Sequence, residues 1–269
     1  MINVIINGAL GHMGRILKSK IEEQEDMRIA ALVDAAFDNE DKNSSEYCSL
    51  MELHESISDL TSHADTDVNN IDSQSTYNVI IDFSNAAGTA DLIKYATDRK
   101  IPLLIATTGQ NDDQRRMISE AAEIIPIFYS GNMSLGVALL ADLVRQAVAA
   151  FPTANVEIIE THHVRKVDAP SGTAILLANA AKESRPELLE NVGRSGMCKR
   201  EQNEIGISSV RRGNIVGIHE VIISTDTQSI TLKHEAHDRG LFADGAIDAA
   251  RFLVTQSPGL YDMKSIISK

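Results

Sequence analysis

Ile2-Asn3-Val4-Ile5-Ile6-Asn7-Gly8-Ala9-Leu10-Gly11-His12-Met13-Gly14 is a β-branched run that breaks into three spaced glycines. A continuous Val/Ile run without polar alternation predicts a strand covered on both faces over 2–7. Apolar residues at helical spacing then predict a helix over Met13–Glu25. Glycines at a strand-to-helix turn let backbone N–H groups and the helix N-terminus approach a pyrophosphate. The spacing Gly8-x-x-Gly11-x-x-Gly14 is a variant of the usual dinucleotide fingerprint, and alone it marks only a tight turn. A second strand over Arg28–Val33 ends at Asp34, 20 residues past Gly14. A carboxylate there is placed to accept hydrogen bonds from the adenosine ribose hydroxyls. Strand, glycine turn, helix and terminal acid together predict a nicotinamide dinucleotide site. Ala35 and Ala36 follow Asp34, so a 2′-phosphate would meet a carboxylate with no adjacent cation, which favours NADH over NADPH.

Outward from this stretch, the same rhythm continues. Val79–Phe83, Leu103–Thr107 and Ile127–Tyr129 read as strands, with helices over Ala86–Arg99 and Asn111–Glu123. Strands alternating with helices at this spacing predict a doubly wound parallel sheet. After Asn132 the pattern changes. A long helix, Leu135–Phe151, is followed by a strand over Asn155–Thr161, a helix over Thr173–Glu183 and a loop-rich stretch over Leu188–Glu204. Strands over Ile205–Arg211, Ile215–Thr225 and Ser229–His237 are separated by hairpin-like breaks at Gly213-Asn214 and Asp226-Thr227-Gln228. Leu241–Thr255 closes as an amphipathic helix. The fold class expected is α/β: a parallel-sheet domain, then a smaller α+β domain with a mixed sheet, the boundary near residue 132.

Composition narrows the function classes. The 269 residues are 43% apolar and 23% charged, with 4% aromatic and no Trp, an ordinary globular balance. Net charge is −13, and both nucleic acid and anionic membrane require a basic footprint, so neither is an expected partner. Between Ala35 and Tyr77 ten Asp/Glu stand against one Lys, a net of −9, which reads as a solvated surface excursion. Cys48 and Cys198 supply neither a disulfide framework nor a four-Cys zinc site, consistent with a reducing cytoplasm. No apolar run approaches a membrane span.

The densest chemistry lies in Glu157-Ile158-Ile159-Glu160-Thr161-His162-His163-Val164-Arg165-Lys166-Val167-Asp168-Ala169-Pro170-Ser171-Gly172-Thr173-Ala174. It leaves a strand, crosses a polar loop and enters a helix, for which Ser171 is the expected N-cap. The amides of Gly172 and Thr173 then stand at a positive helix end, ready for a carboxylate. Two imidazoles and an ammonium precede this cradle, a local positive site suited to a dicarboxylate or phosphate. Adjacent histidines on a strand end face opposite ways, so they are not equivalent, and Lys166 beside Asp168 also reads as a surface ion pair. A metal is not expected: neither His-Glu-x-x-His nor a Cys pair is present, and His234-x-x-His237 sits in a strand pattern.

At these residues the sequence resembles the 4-hydroxy-tetrahydrodipicolinate (dihydrodipicolinate) reductase family of bacterial lysine biosynthesis. The signature Glu-[Ile/Val]-x-Glu-x-His-x-x-x-Lys-x-Asp-x-Pro-Ser-Gly-Thr-Ala is met in full by Glu157–Ala174. The opening glycine turn, Asp82-Phe83-Ser84, Thr107-Thr108-Gly109, Asn132-Met133-Ser134, Arg212-Gly213 with Gly217-x-His219, and Gly259-Leu260-Tyr261 also fit. The resemblance implies an NAD(P)H-dependent reductase acting on a cyclic dicarboxylate. It implies a Rossmann domain over 1–132, onto which 241–269 returns, and a substrate domain over 133–240 that builds a homotetramer. By matching position, Gly8, Ala9, Leu10, Gly11, His12, Met13 and Asp34 would hold the dinucleotide. Ala106, Thr107, Thr108, Ser130, Gly131, Asn132 and Met133 would line its nicotinamide end. His162 would be the acid/base residue and Lys166 the proton donor, with His163, Gly172 and Thr173 gripping substrate carboxylates. Three departures stand out: His12 and Ala35 where members commonly carry Arg, both weakening the NADPH case, and Ala106 where Gly is usual. A rival reading is another reductase of the same architecture; a second is a nicotinamide-sensing regulator without catalysis.

Overall fold

The computed structural model describes residues 1–37, 52–60 and 77–267. In chain order the elements begin β1 (Ile2–Asn7), α1 (His12–Glu22), β2 (Met27–Val33), β3 (Glu52–His54), β4 (Val79–Asp82), α2 (Thr89–Arg99) and β5 (Leu103–Ile105). Next come α3 (Asp112–Ala121), β6 (Pro126–Tyr129), α4 (Leu135–Ala150), β7 (Asn155–His162), α5 (Gly172–Ser184) and β8 (Leu189–Val192). The last are β9 (Glu204–Arg211), β10 (Gly217–Ser224), β11 (Ser229–Ala236), α6 (Gly240–Leu253), β12 (Gly259–Tyr261) and α7 (Met263–Ile267). The chain divides into two compact units, Met1–Met133 with Gly240–Lys269, and Ser134–Arg239.

The first unit holds a seven-stranded sheet in the order β12-β6-β5-β4-β1-β2-β3, every pairing parallel. The chain winds outward from β1 in both directions, which is the doubly wound arrangement, and the reversal lies between β1 and β4. α1 packs on α6, and α2 packs on α3. The strands read as apolar runs because both faces are covered: Val4, Ile5, Ile6, Val79, Ile80 and Ile81 are all fully buried.

The second unit is a five-stranded mixed sheet, β11-β10-β7-β9-β8, with α4 and α5 packed together. Its core joins Val144 and Val148 of α4 and Leu177 and Ala181 of α5 to Val156, Ile158, Ile205 and Val221 of the strands. β10 alternates buried and half-buried residues, as expected of a strand covered on one face.

Several local expectations are corrected. The break at Gly213-Asn214 is not a hairpin: β7 lies between β9 and β10, parallel to the first and antiparallel to the second. Local turn chemistry does not reveal a strand inserted from earlier in the chain. The break at Asp226-Thr227-Gln228 is a hairpin, with Ser224 opposite Ser229 and Thr225 N–H bonded to Gln228 O at 2.8 Å. Part of the acidic segment joins the sheet, since β3 adds to β2 and Ile57 and Leu60 are buried beside Tyr95; the remainder lies outside the described residues, as does Cys48. Leu188–Glu204 contains the edge strand β8. α1 stops at Glu22 because the chain turns to seat Met27 opposite Ile2. The helix expected over Ala86–Arg99 starts as a 3₁₀ turn, Ala86–Gly88, capped by the Asn85 side chain. β5 ends at Ile105, leaving Ala106 and Thr107 in the following loop.

Candidate active site

In the first unit, the loops after β1, β2, β4, β5 and β6 all leave carboxyl ends of parallel strands, where open α/β sheets bind ligands. Gly8 has φ +83°, and a Cβ there would stand 2.7 Å from Phe83 O. Only glycine tolerates both the left-handed backbone and the contact. A Cβ on Gly14 would lie 2.1 Å from Gly8 O, so the third glycine lets the helix crowd the turn. Gly11 is the N-cap of α1 and gives no side-chain cap. The opening amides of α1, at His12 and Met13, therefore face the turn's mouth ahead of the first intrahelical bond, Arg15 N–H to Gly11 O at 3.0 Å.

Asp34 is already engaged. Its Oδ2 accepts Leu10 N–H at 2.9 Å and its Oδ1 accepts Ala36 N–H at 3.0 Å. Gly8 and Ala9 N–H donate to Val33 O at 2.8 and 3.1 Å. The carboxylate thus locks the glycine turn while keeping further lone pairs. A cavity of about 460 Å³ opens beside it, lined among others by Gly8, Gly11, Asp34, Glu55, Ser84 and Asp91. Its size and glycine-walled floor fit the adenosine half of a nicotinamide dinucleotide.

Ala106 is buried, lacks a positive φ and donates its N–H to Asp82 O at 3.0 Å, so the loop accommodates a methyl in place of the usual glycine. Thr107 is buried, and Thr108 is exposed, its methyl lying 3.3 Å from where Gly131 would carry a Cβ. The second loop is braced by Ser130 Oγ, which donates to Asn132 O at 2.8 Å. Buried Met133 closes it: its carbonyl would sit 1.7 Å from a Cβ on Gly245 of α6. Beneath these loops Asp82 is 1% exposed and accepts from Asn7 Nδ2 at 2.8 Å and Ser84 Oγ at 2.6 Å. Burial raises its pKa against those hydrogen bonds.

In the second unit, Ser171 caps α5, its Oγ accepting Ala174 N–H at 3.2 Å. The amides of Gly172 and Thr173 precede the first intrahelical bond, Ile175 N–H to Ser171 O, and nothing lies within 4 Å of a Cβ built on Gly172. The helix end is open on that side. His162 is 7% exposed and bonds Glu160 Oε2 through Nδ1 at 2.5 Å. Burial depresses its pKa, with Glu160 opposing. His163, on the next residue, is half-buried, and its Nδ1 has no partner among the described residues. Lys166 Nζ pairs with Asp168 at 2.8 Å and holds that carboxyl below its ordinary pKa. The pair is exposed on the aspartate side, so it contributes little to stability.

Three side chains absent from the expected site are built into it. Glu160 is fully buried and takes a two-pronged contact from Arg211, at 2.7 and 2.8 Å. His219 is 4% exposed, lies 3.0 Å from Ser171 Oγ, and sets its ring edge against His162 at 5.1 Å. Glu160 was legible: two residues before His162 on a strand, it shares that residue's face. Arg211 was not, because only the β7/β9 register sets it opposite His162. Among the described residues no group of His, Cys, Asp or Glu has the arrangement of a metal site.

Known proteins resemble the chain in sequence and in fold. The family model for the dihydrodipicolinate reductase N-terminus matches residues 2–133, and that for its C-terminus matches 136–267. The chain is 38% identical to the 4-hydroxy-tetrahydrodipicolinate reductase of Caldanaerobacter subterraneus subsp. tengcongensis, over 100% of this chain and 99% of the relative. It is 37% identical to that of Rickettsia akari, over 99% and 96%. In fold it is similar to the dipicolinate-bound dihydrodipicolinate reductase of Paenisporosarcina sp. TG-14, with TM-score 0.79, 23% identity and 97% of each chain covered. A myo-inositol dehydrogenase of Corynebacterium glutamicum shares the fold more distantly, with TM-score 0.58, 16% identity, and 96% and 90% coverage. With matches spanning both units and full-length relatives above 30% identity, the chain belongs to the dihydrodipicolinate reductase family.

Proposed function

We propose that the chain reduces (2S,4S)-4-hydroxy-2,3,4,5-tetrahydrodipicolinate to (S)-2,3,4,5-tetrahydrodipicolinate with loss of water, using a nicotinamide cofactor. The observation that carries this reading is the open α5 N-terminus, with His162, His163 and Lys166 on the segment leading into it, in a chain of this family. The amides of Gly172 and Thr173, with His163, grip the substrate carboxylates, so binding energy goes into orientation. Loss of the 4-hydroxyl as water gives a conjugated imine, and His162 serves as the acid/base group for proton movement at the ring. A nicotinamide held by the loops of the first unit would supply the hydride for substrate C4. The negative charge then spread onto the ring nitrogen is quenched by a proton from Lys166, a mobile ammonium at the rim of the loop.

The cofactor would be held by Gly8, Ala9, Leu10, Gly11, His12, Met13 and Asp34, and its nicotinamide end by Ala106, Thr107, Thr108 and Ser130 to Met133. NADH is the favoured form. Among the described residues lining the adenosine cavity, Asp34, Glu55 and Asp91 carry carboxylates and none is Lys or Arg. A 2′-phosphate would enter an acidic wall without a counter-ion. The same reading carries a homotetramer in the cytoplasm, for which light scattering of the purified chain should give four times the monomer mass.

A coupled assay tests the whole. A synthase that makes the unstable substrate from pyruvate and aspartate semialdehyde is combined with this protein, and nicotinamide absorbance is followed with NADH and NADPH in parallel. Oxidation that needs both proteins, and is faster with NADH, is the expected result. Folded protein that binds NADH but oxidises neither cofactor would transfer the reading to another dicarboxylate reductase.

A further inference from the structure

We propose that Glu160, clamped by Arg211, is the positioning residue for His162: it fixes which ring nitrogen carries the proton and ties that choice to the helix end that grips substrate. This rests on the acid/base role given to His162 above. β7 alternates its side chains, so Glu160 and His162 share a face. Glu160 is fully buried, yet each of its oxygens accepts two bonds. Oε2 accepts His162 Nδ1 at 2.5 Å and Arg211 NH1 at 2.8 Å; Oε1 accepts Arg211 NH2 at 2.7 Å and Ser171 N–H at 3.3 Å. Arg211 also donates to Asp168 O at 2.6 Å, which anchors the loop between Lys166 and Pro170.

An ionised carboxylate only accepts, so Nδ1 of His162 must carry its proton and Nε2 is left to exchange one with a ligand. That ionisation is secure: burial opposes it, but the bonds from Arg211, Ser209 and His162 outweigh burial and hold Glu160 to about 2. The far edge of the ring is kept clear by Gly217, where a Cβ would come within 3.1 Å of Nε2. His219 steadies the ring from the side, edge-on at 73°. Ser171, the N-cap of the helix whose next two amides form the anion cradle, donates its N–H to the same carboxylate. Acid/base group and carboxylate grip are therefore set by one side chain. A merely structural Glu–Arg pair would join β7 to β9 just as well but would not govern the imidazole.

The test uses the full chain labelled with ¹⁵N-histidine, in the wild type, Glu160→Gln and Gly217→Ala. Long-range ¹H–¹⁵N spectra assign the His162 tautomer, and kcat and KM are measured against pH. The wild type should show the Nδ1–H form, and Glu160→Gln a mixture, with kcat lower by at least about tenfold and KM for NADH unchanged. Of the charged or titratable groups facing His162, Glu160 favours the imidazolium, while Lys166, Arg211 and His219 disfavour it. Removing Glu160's charge should accordingly move the acid limb of kcat to lower pH. Gly217→Ala leaves the buried pair untouched, so it reports even if Glu160→Gln fails to fold: the tautomer should persist while kcat falls. An unchanged tautomer and acid limb in Glu160→Gln, a wild type already protonated on Nε2, or full activity in Gly217→Ala would overturn the positioning role. The spectra need no turnover, so an inactive wild type with the Nδ1–H form would count against the reductase reading alone.

Discussion

Lys166 and Gly8 show what a single residue contributes in each unit. Lys166 is held by an exposed aspartate rather than by a core contact, so truncating it costs the fold little. Lys166→Ala should lower kcat by about 10²- to 10⁴-fold, the usual range for one positioned proton donor, with the dissociation constant for NADH unmoved. Steady-state kinetics beside fluorescence titration of NADH checks this, and equal loss of both would remove Lys166 from the chemistry. Gly8 is the converse case, a residue with no chemistry and no tolerance. Its φ of +83° and the 2.7 Å approach of Phe83 O mean that Gly8→Ala must strain or shift the turn. The expected loss is more than about 1 kcal/mol of stability, together with weakened NADH binding, read by thermal melts with and without NADH. Ligand stabilisation equal to the wild type's would show that the turn does not hold the dinucleotide.

At the scale of elements, α6 matters more to the first unit than its place late in the chain suggests. It packs on α1 and reaches β4, β5 and β6, and Arg251 ties it to Asp26 and Gln24 at 2.8 Å. Gly245 lets this helix approach the Met133 carbonyl so closely that a Cβ would overlap it at 1.7 Å. Gly245→Ala should therefore displace the loop that ends at Met133, lower Tm by several degrees and raise KM for NADH more than KM for substrate. A unilateral rise in substrate KM would place that loop elsewhere in the reaction. The parallel strands, the glycine turn and the α5 cap were legible in sequence because each is written locally, in β-branched runs, spaced glycines and Ser171 after Pro170. The Glu160–Arg211 clamp and the insertion of β7 between β9 and β10 were not. Both depend on register between segments some fifty residues apart (51 for the clamp), which no local periodicity encodes. β3 was hidden for another reason: three residues at a sheet edge carry too little apolar pattern to stand out in so acidic a segment.

Across the whole molecule the buried ionisable groups are divided unevenly, and this sets its response to acid. His162, His219 and His234 all lie in Ser134–Arg239 and all have pKa values lowered first by burial, His219 to about 4. A histidine lowered on folding binds fewer protons folded than unfolded, so stability is lost as pH falls from its ordinary value of 6.5 towards the folded one. For His219 the full loss is about 3 kcal/mol, and Glu160, held to about 2, adds a second loss once pH drops below 4.5. The first unit has the opposite tendency at Asp82, whose raised pKa makes its burial less costly as pH falls. Acid should thus unfold the second unit first. No tyrosine lies in Ser134–Arg239, four of the five (Tyr77, Tyr95, Tyr129 and Tyr261) are described residues of the first unit, and there is no Trp. Tyrosine fluorescence therefore reports that unit alone, while far-ultraviolet circular dichroism reports both. Titrated from pH 7 towards 4, the dichroism signal should fall before tyrosine emission changes, and His219→Gln should bring the two closer together. Coincident transitions in the wild type would mean that the units unfold as one, with the histidine core of the second carrying no separate acid lability.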